Sequence, residues 1–159
     1  MSTNPQYFYD TDVEWTGERR VDLRSRDLAT LEVAPPPEFK GPEGVWTPEH
    51  LYVASVTACF VTTFLAIAEL SNLKLASFVC AATGKLEKEE GRGYRITGIV
   101  LKPRLFVSEA RDVERAGRIL EKAERNCLIS NSINTVVTIE PEVASEDLHE
   151  LALAGEAFS

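Results

Sequence analysis

One stretch without a charged side chain, residues 51–68, constrains the fold of this chain more than any other feature. Just before it stand Thr47, Pro48 and Glu49. They supply an N-cap hydroxyl, a proline at the first helical position and an acid near the positive end of the helix dipole. The sequence therefore predicts one long helix, apolar on all sides, from Thr47 to about residue 72.

This apolar stretch is close to the roughly 20 residues that a membrane-spanning helix needs. Hydroxyl side chains interrupt it, His50 and Glu69 bound it, and no basic segment flanks it. Without a basic flank, nothing marks a cytoplasmic side of a span. A helix that is apolar all round and does not span a membrane is typically buried. We therefore expect the central helix of the fold and no membrane partner.

Charge and length narrow the function classes further. The chain has 25 acidic and 17 basic residues, a net charge of −8 that repels a phosphate backbone, so we expect no nucleic-acid partner. Its 159 residues, 44% of them hydrophobic, predict a single globular domain over residues 1–159. Residues 1–12 have neither the basic nor the apolar region of a signal peptide, so we expect a cytoplasmic protein.

Hydrophobic periodicity outlines the other elements. We expect N-terminal strands within residues 1–34, a proline-rich connector over 35–46, and then, over 47–159, the long helix, a hairpin (75–88 and 94–107), a helix (112–126), a last strand (132–143) and a terminal helix (145–154). This order predicts an α+β fold with antiparallel sheets packed around the central helix. The helix has more apolar surface than one three-stranded unit can cover, so we expect an intertwined homodimer.

The chain has three cysteines, Cys59, Cys80 and Cys127, without a CxxC motif or a neighbouring histidine. An odd number at these spacings fits neither a zinc site nor a disulfide framework, so we expect no metal. Cys59 lies within the long helix, and Cys127 ends the apolar face of the second helix. Cys80 alternates with apolar residues in a strand. Free cysteines are often simply buried, and we interpret Cys80 as a core residue.

Three groups of residues in order resemble the family of the osmotically inducible protein C and the organic hydroperoxide resistance protein. They are Pro36-Pro37-Glu38-Phe39 with Gly41; Trp46-Thr47-Pro48-Glu49-His50-Leu51 followed by Ala58-Cys59-Phe60; and Ala123-Glu124 followed by Cys127-Leu128-Ile129-Ser130-Asn131. The resemblance covers nearly the whole chain. It implies an obligate dimer with a cofactor-free thiol peroxidase site at the subunit interface.

The resemblance also implies roles for individual residues. Cys59 would be the peroxidatic cysteine, Cys127 the resolving cysteine, and Glu49 the acid that holds a catalytic arginine. Arg19 matches that arginine best, and Arg20 is the alternative. Four side chains would form the apolar wall that favours organic hydroperoxides over hydrogen peroxide: Phe60, Phe64, Leu128 and Ile129. A dithiol such as a dihydrolipoyl protein, or a small thiol, would recycle the enzyme.

These residue types suit the chemistry. The thiolate is the nucleophile, and burial in an apolar helix raises a cysteine pKa, so a neighbouring arginine is expected to stabilise the charge. The sulfenic acid on Cys59 would then condense with Cys127 to a disulfide. Glu49 lies ten residues before Cys59, about 15 Å along a helix axis. Either the arginine bridges this gap or Glu49 serves the site of the partner chain.

Two other function classes compete with the peroxidase. The first is a non-catalytic dimer that binds a hydrophobic small molecule or acts as a redox sensor. It stays open because Leu128 stands where peroxidases of the family usually carry proline, and Glu18 stands where a second glycine often precedes the arginine. The second is Cys-His nucleophilic chemistry. His50 lies about 13.5 Å from Cys59 along the helix, and His149 lies near the C-terminus, so this class is disfavoured.

Overall fold

The computed structural model describes residues 3–147. The chain divides into two compact units, one that ends at Leu51 and one that begins at Tyr52. The boundary falls in the first turns of the long helix, α1 (Pro48–Leu70). The single domain over residues 1–159 stays a prediction.

The first unit contains a three-stranded antiparallel sheet. Its strands are β1 (Asp12–Gly17), β2 (Arg20–Arg24) and β3 (Leu31–Val33), in the order β1-β2-β3. The turn between β1 and β2 uses positive φ angles, +134° at Gly17 and +50° at Glu18. The N-terminal strands predicted within residues 1–34 are therefore confirmed.

The proline-rich connector folds into a tight turn around Pro37–Phe39. The N–H of Gly41 donates to the carbonyl of Pro36 at 3.1 Å and closes the turn. A Cβ atom at position 41 would lie 1.5 Å from the carbonyl oxygen of Pro35, so only glycine fits there. The stiff connector predicted from the prolines thus requires a glycine at its end.

Helix α1 begins where the sequence predicts. The N–H of His50 donates to Oγ1 of Thr47 at 3.2 Å, which is an N-cap bond. Four residues at a spacing of four form the buried stripe of the helix: Val56, Phe60, Phe64 and Ala68. On other sides Leu65 is 42% exposed and Leu70 is 85% exposed. The expected burial on most sides is therefore not reached within one chain, because the core of the second unit covers a single stripe.

By length and composition α1 could cross a membrane. Its buried stripe instead belongs to a hydrophobic core that includes Ile99, Leu101, Leu105 and Val107. The helix approaches the sheet closely at Gly84, where a Cβ atom would lie 2.4 Å from Cγ2 of Val53.

The sheet of the second unit is built on a long hairpin. Strands β4 (Leu75–Glu89) and β5 (Gly93–Val107) pair antiparallel along almost their whole length. At the tip, Nη1 of Arg95 donates to both carboxylate oxygens of Glu89, at 2.9 and 3.0 Å. The predicted hairpin over 75–88 and 94–107 is confirmed.

Helix α2 (Val113–Asn126) follows the hairpin and buries Ala116, Ile119, Leu120 and Ala123, the apolar face predicted for it. The chain then returns to β5 through two short strands, β6 (Val136–Ile139) and β7 (Glu142–Ser145), which both pair parallel to β5.

The α+β class is confirmed, but the last strand predicted over 132–143 is two strands, and both depart from the predicted antiparallel pairing. A helical crossover between two strands brings the chain back in its original direction, which makes the pairing parallel. Glu140 and Pro141 separate the two strands, and proline cannot donate to a ladder. Ser145 ends β7, and the rest of the predicted terminal helix, residues 148–154, lies outside the described residues.

Candidate functional site

The fold brings together the two cysteines that the resemblance singles out. Cys59 comes from the middle of α1, and Cys127 is the first residue after α2. The two thiols lie close enough for each to affect the pKa of the other. Cys127 is fully buried and its Sγ lies 4.0 Å from the carbonyl oxygen of Val56, whereas Cys59 is partly exposed. Both are free thiols, so the pair is in its reduced form.

The surroundings of Cys59 favour its thiolate. Burial raises its pKa, but hydrogen bonds oppose this effect and outweigh it, so the pKa lies below the ordinary value of a thiol. The donors are the backbone N–H of Ile129, the thiol of Cys127, the hydroxyl of Thr63 and the backbone N–H of Leu128. Every one of these donors is neutral. The arginine expected from the chemistry is not among them, and its role stays a prediction.

The surroundings of Cys127 favour the neutral thiol. Burial raises its pKa most, Ser130 lowers it by less than this, and the nearby sulfur of Cys59 raises it further. The two cysteines thus differ in the direction of their shifts. Cys59 is the more acidic thiol and the accessible one, and Cys127 stays protonated beside it.

Cys80 differs from this pair. It lies on β4, and burial raises its pKa, with a smaller opposing effect from the N–H of Lys102. Its Sγ lies 3.6 Å from the carbonyl oxygen of Ala81. It packs against the hydrophobic core as a partly buried residue, which agrees with the prediction of a core role.

The four predicted wall residues fall into two groups. Phe60 and Phe64 are fully buried in the core, and the ring of Phe64 lies 4.7 Å from that of Phe78. Leu128 is 67% exposed, and Ile129 is partly buried against the core. The backbone N–H groups of Leu128 and Ile129 both lower the pKa of Cys59. The role of the four side chains in substrate binding stays a prediction.

The predicted arginine and its acid belong to the first unit. Nη1 of Arg19 donates to the carbonyl of Phe39 at 2.8 Å, and Arg20 forms an ion pair with Glu32 at 2.5 Å. Oε2 of Glu49 is buried and has no hydrogen-bond partner among residues 3–147. A buried carboxylate oxygen normally has a donor. The assignment of Arg19 or Arg20 to Glu49 stays a prediction.

The sequence analysis missed four residues that affect the pKa values of the two cysteines. Thr63 lies four residues after Cys59, and its Oγ1 is 4.0 Å from Sγ. That spacing places two side chains on the same helix face and could have identified it. Ser130 stands within the Cys127-Leu128-Ile129-Ser130-Asn131 run, but as part of a matched pattern without a role. The backbone N–H groups of Leu128 and Ile129 have no signature in residue type.

Metal binding finds no support in the part of the chain that the structure describes. No group of three or more histidine, cysteine, aspartate or glutamate side chains there could hold an ion. His149, considered for Cys-His chemistry, lies outside the described residues.

Similarity to known proteins extends over most of the chain. A Bacillus subtilis (strain 168) protein, the uncharacterized protein YmaD, is 24% identical over 143 residues, which are 87% of this chain and 93% of that protein. An OsmC-like protein of unknown function from Vibrio cholerae has the same fold, with a TM-score of 0.79 and 21% identity over 86% of this chain and all of that one. An organic hydroperoxide resistance protein OsmC from Legionella pneumophila gives a TM-score of 0.69 and 24% identity, over 87% of this chain and 99% of that one.

The family described as OsmC-like protein matches residues 41–142. This segment contains α1, the hairpin, α2 and both cysteines of the pair. Since the match covers more than half of the chain, the protein belongs to the OsmC-like family.

Proposed function

We propose that this protein is a dithiol peroxidase that reduces organic hydroperoxides at Cys59 and Cys127. One observation carries the proposal: a partly exposed cysteine with a lowered pKa lies beside a fully buried cysteine with a raised pKa, and each affects the pKa of the other. Structural cysteines in a core are inert thiols, whereas a nucleophilic cysteine needs thiolate character and access. Cys59 has both features.

The reaction follows from this pairing. The Cys59 thiolate attacks one peroxide oxygen, the O–O bond breaks, and the organic alkoxide leaves and takes up a proton as an alcohol. Cys59 becomes a sulfenic acid. The sulfur of Cys127 then attacks the Cys59 sulfur, its proton leaves with the hydroxyl as water, and a disulfide forms. An external dithiol, such as a dihydrolipoyl group, reduces this disulfide and is itself oxidised.

Family membership supports a peroxide-related role. Among the similar structures, the Legionella pneumophila protein is described as an organic hydroperoxide resistance protein, and it shares the fold of this chain. The apolar residues beside the sulfurs support an organic substrate: Phe60 and Ile129 both pack in the core around the pair. Glu49 and Arg19 are the residues we propose for the acid and the cation of this site.

We also propose that the protein acts as a homodimer. Two large apolar side chains of α1 are exposed within the chain, Leu65 at 42% and Leu70 at 85% accessible. A second copy that packs on this helix would cover them. The buried oxygen of Glu49, which lacks a donor among the described residues, fits a site completed by another chain. A cytoplasmic location would keep both cysteines reduced between turnovers.

A single-turnover oxidation tests the enzyme. The reduced protein is mixed with one equivalent of cumene hydroperoxide or, separately, of hydrogen peroxide, and the remaining thiols are counted by mass spectrometry. We expect the rapid loss of two thiols to a Cys59–Cys127 disulfide, faster with the organic peroxide. Cys59→Ser abolishes the reaction, and Cys127→Ser stops it at the sulfenic acid.

Cys80→Ser is the matched control, since it removes a cysteine that lies outside the pair and leaves both reactive sulfurs in place. It should oxidise like the unmodified protein. Slow oxidation that is indifferent to the peroxide and to all three substitutions would refute the peroxidase. That outcome would favour the non-catalytic dimer that binds a hydrophobic small molecule.

A further inference from the structure

The second unit contains a cavity of about 250 Å³ whose lining includes no cysteine. Three separate parts of the chain form it: Tyr52 near the start of α1, Arg95 and Ile96 on β5, and Asn134 and Thr135 just before β6. Pockets for drug-sized ligands measure about 300–1,000 Å³, so this cavity suits a smaller molecule.

A chain of hydrogen bonds fixes the proton of Tyr52. The hydroxyl of Thr135 donates its single hydrogen to the carbonyl of Ile96 at 2.9 Å. Oγ1 of Thr135 also lies 2.6 Å from the phenol oxygen of Tyr52, so the phenol has to be the donor of that second bond. The Tyr52 proton is therefore used within the protein, and its oxygen can only accept a hydrogen bond from a ligand.

The guanidinium of Arg95 keeps two donor nitrogens available. Its Nη1 donates to both carboxylate oxygens of Glu89, at 2.9 and 3.0 Å, and it makes no other hydrogen bond among residues 3–147. Nε and Nη2 form one edge of the guanidinium, a fork of parallel N–H groups that matches the two oxygens of a carboxylate. The ion pair with Glu89 thus holds the half-buried side chain in place and leaves this edge unused.

The rest of the lining limits the class of ligand. Within the part of the chain that the structure describes, the lining has one cation and no acid. One positive charge balances a monoanion, whereas the second charge of a phosphate would find only the lone pairs of the Tyr52 oxygen. Asn134 adds an amide that can donate and accept, and Ile96 adds apolar surface.

We propose that this cavity binds a small organic monocarboxylate, with the carboxylate on Arg95 and an apolar body against Ile96 and the ring of Tyr52. The site goes beyond the proposed peroxidase, because none of its lining residues belongs to the cysteine pair. It would give the protein a second ligand whose binding needs no peroxide.

A titration of the ¹⁵N-labelled full chain with benzoate, followed by NMR of the backbone amides, tests this site. Benzyl alcohol is the neutral probe with the same ring. The test variant is Arg95→Gln, and Arg104→Gln is its matched control. Arg104 lies on the same strand and pairs with Glu142 at 3.1 Å, but it does not line the cavity. Each substitution removes one positive charge and one ion pair from β5.

We expect benzoate to shift the amide signals of Ile96 and Thr135 in a saturable way. Arg95→Gln should weaken its binding by about tenfold or more, the usual effect of losing hydrogen bonds between charged groups. Arg104→Gln should bind benzoate like the unmodified protein, and benzyl alcohol should bind about tenfold more weakly than benzoate. Three results would each overturn the proposal: no saturable shift at these amides, equal weakening in both variants, or equal binding of the two probes.

Should Arg95→Gln fail to fold, judged by circular dichroism, Arg95→Lys keeps the positive charge and removes the fork. It should weaken benzoate binding by roughly threefold or more, and unchanged binding would overturn the proposal. The titration uses no peroxide, so its result is independent of the peroxidase test. A protein that binds benzoate in this way but is not oxidised by peroxide would retain the carboxylate site and refute the peroxidase.

Discussion

Replacing Gly84 by alanine tests how closely α1 packs on the sheet that positions Cys59. A Cβ atom at this position would lie 2.4 Å from Cγ2 of Val53, a full ångström short of the 3.4 Å at which ordinary contact begins. Val53 is a β-branched residue in a helix, where its side chain has essentially one rotamer. It therefore cannot rotate away, and the helix or the strand has to move.

The magnitude follows from two opposing effects. Overpacking of a core contact costs typically about 1–3 kcal/mol. The alanine also lowers the entropy of the unfolded chain, which stabilises the protein by about 0.4–1 kcal/mol. We expect a net loss of about 1–2 kcal/mol in the free energy of unfolding, measured by urea denaturation at one fixed protein concentration.

Gly117 offers a matched control for this substitution. It lies in α2, and a Cβ atom there would meet nothing within 4 Å. Gly117→Ala should stabilise the protein by about 0.5–1 kcal/mol, because glycine is a poor helix former. The double variant Gly84→Ala with Val53→Ala should lose less stability than the two single losses added together. A neutral or stabilising Gly84→Ala would refute the close contact.

Two further predictions concern the cysteine pair and the dimer. Cys127→Ala removes a group that lowers the pKa of Cys59. The midpoint of Cys59 alkylation should therefore move to higher pH, and less thiolate should be present at neutral pH. An unchanged midpoint would contradict this effect of Cys127 on Cys59. Leu65→Glu places a charge on the exposed face of α1 and should convert a dimer to monomers, measured by analytical ultracentrifugation. Lys122→Gln on α2 changes the net charge by the same amount and should leave the dimer intact. Identical sedimentation of Leu65→Glu and the unmodified protein would argue against that interface.

Local signals in the sequence predict most of the fold. The N-cap at Thr47 and the charge-free stretch after it identify α1, and the alternation on both sides of the charged tip identifies the hairpin. The direction of β6 and β7 could not be predicted in the same way. Alternation shows that a segment is a strand, but its partner and direction depend on the crossover through α2.

The candidate site was predicted to a similar extent. The identities of Cys59 and Cys127 follow from the resemblance, and the fold brings the two thiols close enough to affect each other's pKa. The donors of Leu128 and Ile129 could not be predicted, because every residue except proline has a backbone N–H. We expected an arginine because burial alone would raise the pKa of Cys59. Four neutral donors outweigh that burial.

Neutral donors also determine how the thiolate responds to dissolved salt. Mobile ions weaken the attraction between separated charges over about 10 Å at an ionic strength of 0.1 M. A dipole in direct contact with an anion acts over the length of a hydrogen bond, and no ion fits between the two. The groups that lower the pKa of Cys59 are neutral donors of this kind. We therefore expect the rate of Cys59 alkylation to depend only weakly on ionic strength.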